Sequence, residues 1–307
     1  MKNDINTSNL EANKNIKTKK RMDWRIEFAR IPAIIVVVVV HMQLDTGWIE
    51  SNTMPQNFLL YVAMAVFMFA SGFVQGLKDE FNKEGSISKK YSKYVKKRFI
   101  RLYSGYYLAL GSVFLSRLFA YYIISRPFPC EFNAWTIFLD LTGTWGVFTQ
   151  TGCGGIWPPG WFIGAIFIIS LLYPFLRRLS SINKMYIYII MIITVIARII
   201  VAFTLYNPAY FFPLVWLTEF CLGMLIGDWS RRTGGPPEVN KSYQRGIIKL
   251  GRRVWPLYLC HIVPIVWMSM YADLWEFIVV FIICLPLTEL YHRILNFITP
   301  RLVKKIL

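Results

Sequence analysis

Residues 27–47 read EFARIPAIIVVVVVHMQLDTG, and this stretch decides the fold. A helix that crosses a membrane needs about 20 mostly apolar residues, and the run beginning at Ile31 supplies them. The residues before it, 1–24, are polar and basic. They lack the apolar core and small-residue cleavage site of a signal peptide, so the run is expected to persist as a first helix. Pro32 falls in the first turns, where its missing N–H is tolerated.

Working outward, seven more runs qualify. The eight expected spans are roughly 27–47, 57–77, 102–124, 161–177, 185–205, 211–228, 254–272 and 275–292. Irregular backbone cannot face lipid, so the expected fold is an all-α polytopic membrane bundle. Composition agrees: 55% of the 307 residues are hydrophobic and 17% charged, against roughly 45–50% and 25% in soluble domains. Disorder, collagen and coiled coil are excluded. Five Cys in 307 residues exclude a small disulfide scaffold. The expected organisation is a disordered basic tail over 1–24 and one transmembrane domain over 25–307.

The net charge of +17 would suggest nucleic acid in a soluble protein. Here its placement gives another meaning. With eight spans, 31 of the 34 Lys and Arg residues fall on one side. That is the pattern of cytoplasmic loops, so both termini are expected in the cytoplasm of a cell-membrane protein. The basicity is assigned to topology and anionic lipid, not to nucleic acid.

Phe132 to Thr149, FNAWTIFLDLTGTWGVFT, is apolar enough for a ninth crossing. A crossing there would turn fourteen later basic residues outward, against the charge rule. The segment is therefore expected to be re-entrant or interfacial on the outer face. Cys130 and Cys153 would then share an oxidising side, where a disulfide can form.

Ionisable residues inside spans are costly and usually functional. Arg30 and His41 lie eleven residues apart, close to three helical turns, so they share a face about 16 Å apart along the axis. An imidazole at such depth suits a general base or proton carrier. Arg98 and Arg101, in YVKKRFIRLY at 94–103, share a face and suit phosphate contacts. Glu219 lies in WLTEFCLGMLIGDW at 216–229, where Gly223 and Gly227 permit close helix approach. Tyr258 and His261 are three apart in WPLYLCHIVP at 255–264. Three helices thus offer His41, Glu219 and His261 to the interior. No close ligand spacing such as His-Glu-x-x-His occurs, and no metal is expected.

These motifs resemble, in order, those of the membrane-bound acyltransferase 3 family, integral-membrane O-acyltransferases of bacterial surface polysaccharides. The Arg30-x10-His41 pair, KRFIRLY, PPGWFIGAIFIISLLYP with Trp161, EFCLGMLIG and PLYLCHIVP carry the resemblance. It spans roughly 25–290. Many members have two further helices between the last two motifs, where this chain has a polar loop at 229–253. The resemblance implies an acyl-CoA donor, most often acetyl-CoA, with Arg30, Arg98 and Arg101 toward its phosphates. It implies His41 as general base or transient acyl carrier, and a hydroxyl acceptor on a glycan or lipid-linked sugar. Glu219 would orient an imidazole or bind sugar hydroxyls; His261, Tyr258 and Trp161 are further candidates. Two other classes stay open: a transporter of an anionic lipid-linked sugar, and a non-catalytic scaffold or sensor.

Overall fold

In the computed structural model, residues 23–46, 54–78, 81, 87–125, 133–148, 155–204, 211–268 and 274–306 are described. The elements in order are α1 (Trp24–Thr46), α2 (Met54–Gly76), α3 (Ile87–Ile124), α4 (Ala134–Thr142), α5 (Trp145–Phe148), α6 (Gly160–Ile182) and α7 (Lys184–Thr204). A 3-10 turn (Pro213–Trp216) leads into α8 (Leu217–Arg232), followed by α9 (Ser242–Cys260), α10 (Ile262–Ile265) and α11 (Leu274–Ile306). All regular structure among the described residues is helical. The expected tail lies outside them up to residue 22.

Six of these helices, α1, α2, α3, α6, α7 and α11, are long and apolar enough to cross a membrane. The expected spans at 211–228 and 254–272 take another form. The first is the 16-residue α8 preceded by the 3-10 turn. Together they rise about 32 Å, enough for a bilayer core of about 30 Å. The second begins earlier than expected, at Ser242, inside the supposed polar loop. Its Arg245, Lys249, Arg252 and Arg253 recur at helical spacing on one face, and the first three are exposed. The helix then breaks at His261 before α10.

Residues 87–101, ahead of the expected third span, are likewise helical. α3 runs for 38 residues, about 57 Å, so its basic first turns project beyond a bilayer core. Residues 293–306 continue α11 in the same way.

Between helices the chain uses missing side chains. A Cβ on Gly72 or Gly76 of α2 would run into the carbonyls of Phe220 and Met224 on α8. A Cβ on Gly223 or Gly227 of α8 would meet those of Phe69 and Phe73 on α2. Two reciprocal small-residue pairs therefore bring these backbones together. α9 lies along α1 and against α11, while α6 packs on α3 and α7. α7 stands at the edge, with Ile189, Ile192, Ile193, Ile196 and Ile199 exposed. Such an uncovered apolar stripe belongs in lipid.

The described part of the segment expected on the outer face, 133–148, holds no helix long enough to cross. α4 has nine residues, far short of a span. It begins with a capping box between Asn133 and Thr136 and ends at Gly143 with φ 69°, a backbone setting that glycine adopts without strain. Tyr103 donates to the Thr142 carbonyl at 2.7 Å, and Tyr106 donates to the Asp140 carbonyl. The buried Asp140 carboxylate accepts from the Ile156 amide at 3.0 Å, which ties α4 to the chain entering α6. Burial pushes the Asp140 carboxyl up from its usual range. Cys130 and Cys153 lie outside the described residues. Cys221, Cys260 and Cys284 are buried free thiols.

Candidate active site

α1 carries the two sequence-marked groups on one side of the bundle. Arg30 lies within two turns of the helix start, and its guanidinium meets Glu27 one turn back, with Nη1 at 2.8 and 3.0 Å from the carboxylate oxygens. Glu27 is buried and packs on Gly251 of α9, where a Cβ would strike its carboxylate. The sequence reading missed this carboxylate. Its i, i+3 spacing from Arg30 was the available signal.

Farther along α1, His41 turns its Nδ1 to the Val37 carbonyl at 2.7 Å. A carbonyl oxygen only accepts, so Nδ1 carries the proton and Nε2 is the basic nitrogen. The nearest imidazole is that of His261, whose ring centroid lies 5.1 Å away. His261 occupies the joint between α9 and α10 and is fully buried. Its Nδ1 faces the Tyr258 carbonyl at 2.8 Å, which fixes the same tautomer. α10 packs against α1 and α3, and this brings the two rings together.

Tyr258 links the histidines to an internal space. Its ring centroid is 5.9 Å from that of His261, and its hydroxyl donates to the Pro159 carbonyl at 2.5 Å. The same ring forms part of the wall of a cavity of ≈ 180 Å³. Phe67 and Phe162 give that cavity an apolar lining; Arg30, Arg98 and Ser71 give it a polar one. Arg98 donates from Nη2 to the Ser71 hydroxyl at 2.7 Å and from Nε to the Ser170 hydroxyl at 3.0 Å. No carboxylate among the described residues pairs with it. Nothing in the sequence pointed to Ser71 or Ser170 as its partners.

The other candidates sit elsewhere. Arg101 is exposed and does not line the cavity. Glu219 lies in the first turn of α8, not at mid-helix, and gives both carboxylate oxygens to Arg198 of α7 at 2.7 Å. Arg198 also donates to the Val215 carbonyl and lies over the rings of Tyr61 and Trp216. Glu219 therefore meets neither imidazole. Trp161 is buried against Phe211, one residue from the cavity wall. No group of three or more His, Cys, Asp or Glu that would hold a metal occurs among the described residues.

Fold and site together define a helical membrane protein whose cation-lined cavity approaches a pair of histidines. Over residues 23–236 the chain matches the acyltransferase 3 family, described as an acyltransferase domain. The protein belongs to that family and is an acyltransferase. The matched region holds Arg30, His41, Arg98 and Glu219, and it ends before α9, so His261 lies outside it. No curated protein and no solved structure matches the chain.

Proposed function

We propose that this protein is an O-acyltransferase that moves an acyl group, acetyl foremost, from acyl-CoA to a hydroxyl of an extracytoplasmic or lipid-linked glycan. The carrying observation is His41: an imidazole whose Nδ1 is committed to the Val37 carbonyl, with Nε2 as its basic nitrogen, packed on His261, which neighbours the Tyr258 wall of a cavity lined also by arginines. The charge distribution favours the cell membrane, with both termini and the donor in the cytoplasm.

CoA is a polyanion on a long thin arm. Arg98, held by the Ser71 and Ser170 hydroxyls and by no carboxylate among the described residues, suits one of its phosphates, and the guanidinium fork fits a phosphate in two-point fashion. Arg30 is already neutralised by Glu27, so its part is to orient the mouth or to exchange partners when a phosphate arrives. The apolar walls at Phe67 and Phe162 suit the arm and exclude water from the thioester. The acceptor comes from the side covered by α4 and α5. His41 Nε2 takes the acceptor's proton as its oxygen attacks the thioester carbon, or attacks that carbon itself and carries the acyl group briefly.

Purified protein in lipid vesicles, given labelled acetyl-CoA and glycan extracted from membranes, is expected to label the glycan. His41→Ala is expected to lose about 10²–10⁴-fold in rate while remaining folded. Wild-type labelling by that variant would remove His41 from the chemistry. Movement of sugar across the vesicle without thioester consumption would favour the transporter instead. Membrane-impermeant thiol reagents should reach cysteines engineered into 234–240 only after the membrane is opened. Labelling of intact cells there would reverse donor and acceptor sides.

A further inference from the structure

His261 is a buried ionisable side chain that this chemistry leaves without a task. Its Nδ1–H is committed to the Tyr258 carbonyl, which leaves Nε2 as an acceptor. That Nε2 is buried and has no hydrogen-bond partner among the described residues. A buried polar atom without a partner costs about 1–3 kcal/mol, a cost that an apolar ring of similar shape would not carry. Its neighbour is His41, with ring centroids 5.1 Å apart. At that separation, nitrogens turned toward each other come within roughly 2.7–3.2 Å, the range of a hydrogen bond.

A proton arriving on His41 creates an imidazolium inside an apolar bundle, where an uncompensated charge is costly. Among the described residues, Glu27 holds Arg30 and Glu219 holds Arg198. His261, whose ring lies beside that of His41, has an acceptor nitrogen to offer.

We infer that His261 is a positioning residue that shares the proton His41 acquires during transfer. The inference rests on the reading of His41 as base. The acceptor O–H proton passes to His41 Nε2 as the oxygen bonds to the thioester carbon. The protonated Nε2 then donates to His261 Nε2, a charge-assisted bond roughly twice as strong as a neutral one. When the C–S bond breaks, the electron pair leaves on sulfur and the proton returns to it as the thiol. Ester and free thiol balance the starting hydroxyl and thioester, and no further reactant is needed.

The test uses the full chain in lipid vesicles, with acetyl-CoA as donor and membrane glycan extract as acceptor. His261→Phe keeps an aromatic ring and removes the acceptor nitrogen. It is expected to lower kcat by about 10- to 100-fold, with KM for acetyl-CoA within about 2-fold of wild type. His261→Gln, whose amide oxygen can accept, should recover part of that loss. In a His41→Ala background the Phe replacement should cost nothing further, because its partner is gone. Should Phe not fold, His261→Leu takes its place with the same expectations. Wild-type kcat in the Phe variant would overturn the inference, as would an equal loss with and without His41. Wild-type transfer by His41→Ala would instead sink the reading of His41 itself.

Discussion

Two kinds of polar centre lie inside this bundle, and they are solved differently. In one, guanidinium and carboxylate satisfy each other. Arg198 and Glu219 pair through both oxygens, and the fully buried Arg177 meets Asp228 at 2.5 Å, with Arg231 and Arg232 on the same carboxylate. In the other, His41 and His261 each give Nδ1 to a carbonyl of their own helix, their rings lie 5.1 Å apart, and the His261 Nε2 is left without a partner among the described residues. Arg98 is intermediate, with hydroxyls where a carboxylate would close the account. Charges that are mutually satisfied hold helices together. Groups left with bonding capacity are where a substrate or proton has something to gain.

That contrast can be broken by substitution. The largest stability effect is expected at Asp228→Ala, which leaves Arg177 buried beside two other guanidinium groups. Losing one partner of a buried ion pair costs about 3–5 kcal/mol. A thermal melt in detergent should fall steeply while the folded fraction keeps its rate of thiol release from acetyl-CoA. An unchanged melt would mean that water already screens the cluster. Glu219→Gln removes charge but keeps an oxygen for Arg198. It should cost about 1.5–3 kcal/mol, again with kcat per folded molecule retained. A selective fall in kcat with no change in melting would move Glu219 from the satisfied class into the reactive one.

Smaller effects separate the two arginines of the basic motif. Arg98→Ala is expected to raise KM for acetyl-CoA about 10-fold with kcat little changed, as for a contact made equally in ground and transition states. Arg98→Lys should recover only part, since the two-point fork is lost. Arg101→Ala, on the exposed face, should change that KM by less than about 2-fold. Equal shifts at both positions would show that the cation-rich surface acts collectively and that cavity lining is irrelevant.

Much of the frame was legible beforehand, for local reasons. Span after span reveals itself by apolar length, which needs no knowledge of a neighbour, and Lys and Arg density supplies an expectation of orientation in the same local way. The Arg30–His41 face follows from helical pitch alone. That residues 133–148 hold no helix long enough to cross was also expected, because a crossing there would have offended the charge rule. Where the reading erred, it mistook polarity for loop: residues 87–101 and 242–253 are helical, since a basic face in water is compatible with helix once an apolar face is packed.

Lateral assignment is another matter. From sequence, His41, Glu219 and His261 were three polar residues on three helices, all candidates for one site. Only the packed structure sends Glu219 to Arg198, sets Glu27 on Arg30, puts Ser71 and Ser170 on Arg98, and leaves His261 beside His41. Lipid is as apolar as leucine, so burial does not choose which helix faces match. That choice is made by close fits such as Gly72 and Gly76 against Gly223 and Gly227, and by polar groups finding partners across helices. Hydropathy, read along one chain, therefore determines which segments are long and apolar enough to enter the membrane. Which side chains then meet is decided by shape and hydrogen bonding between helices distant in sequence, terms that no local pattern contains.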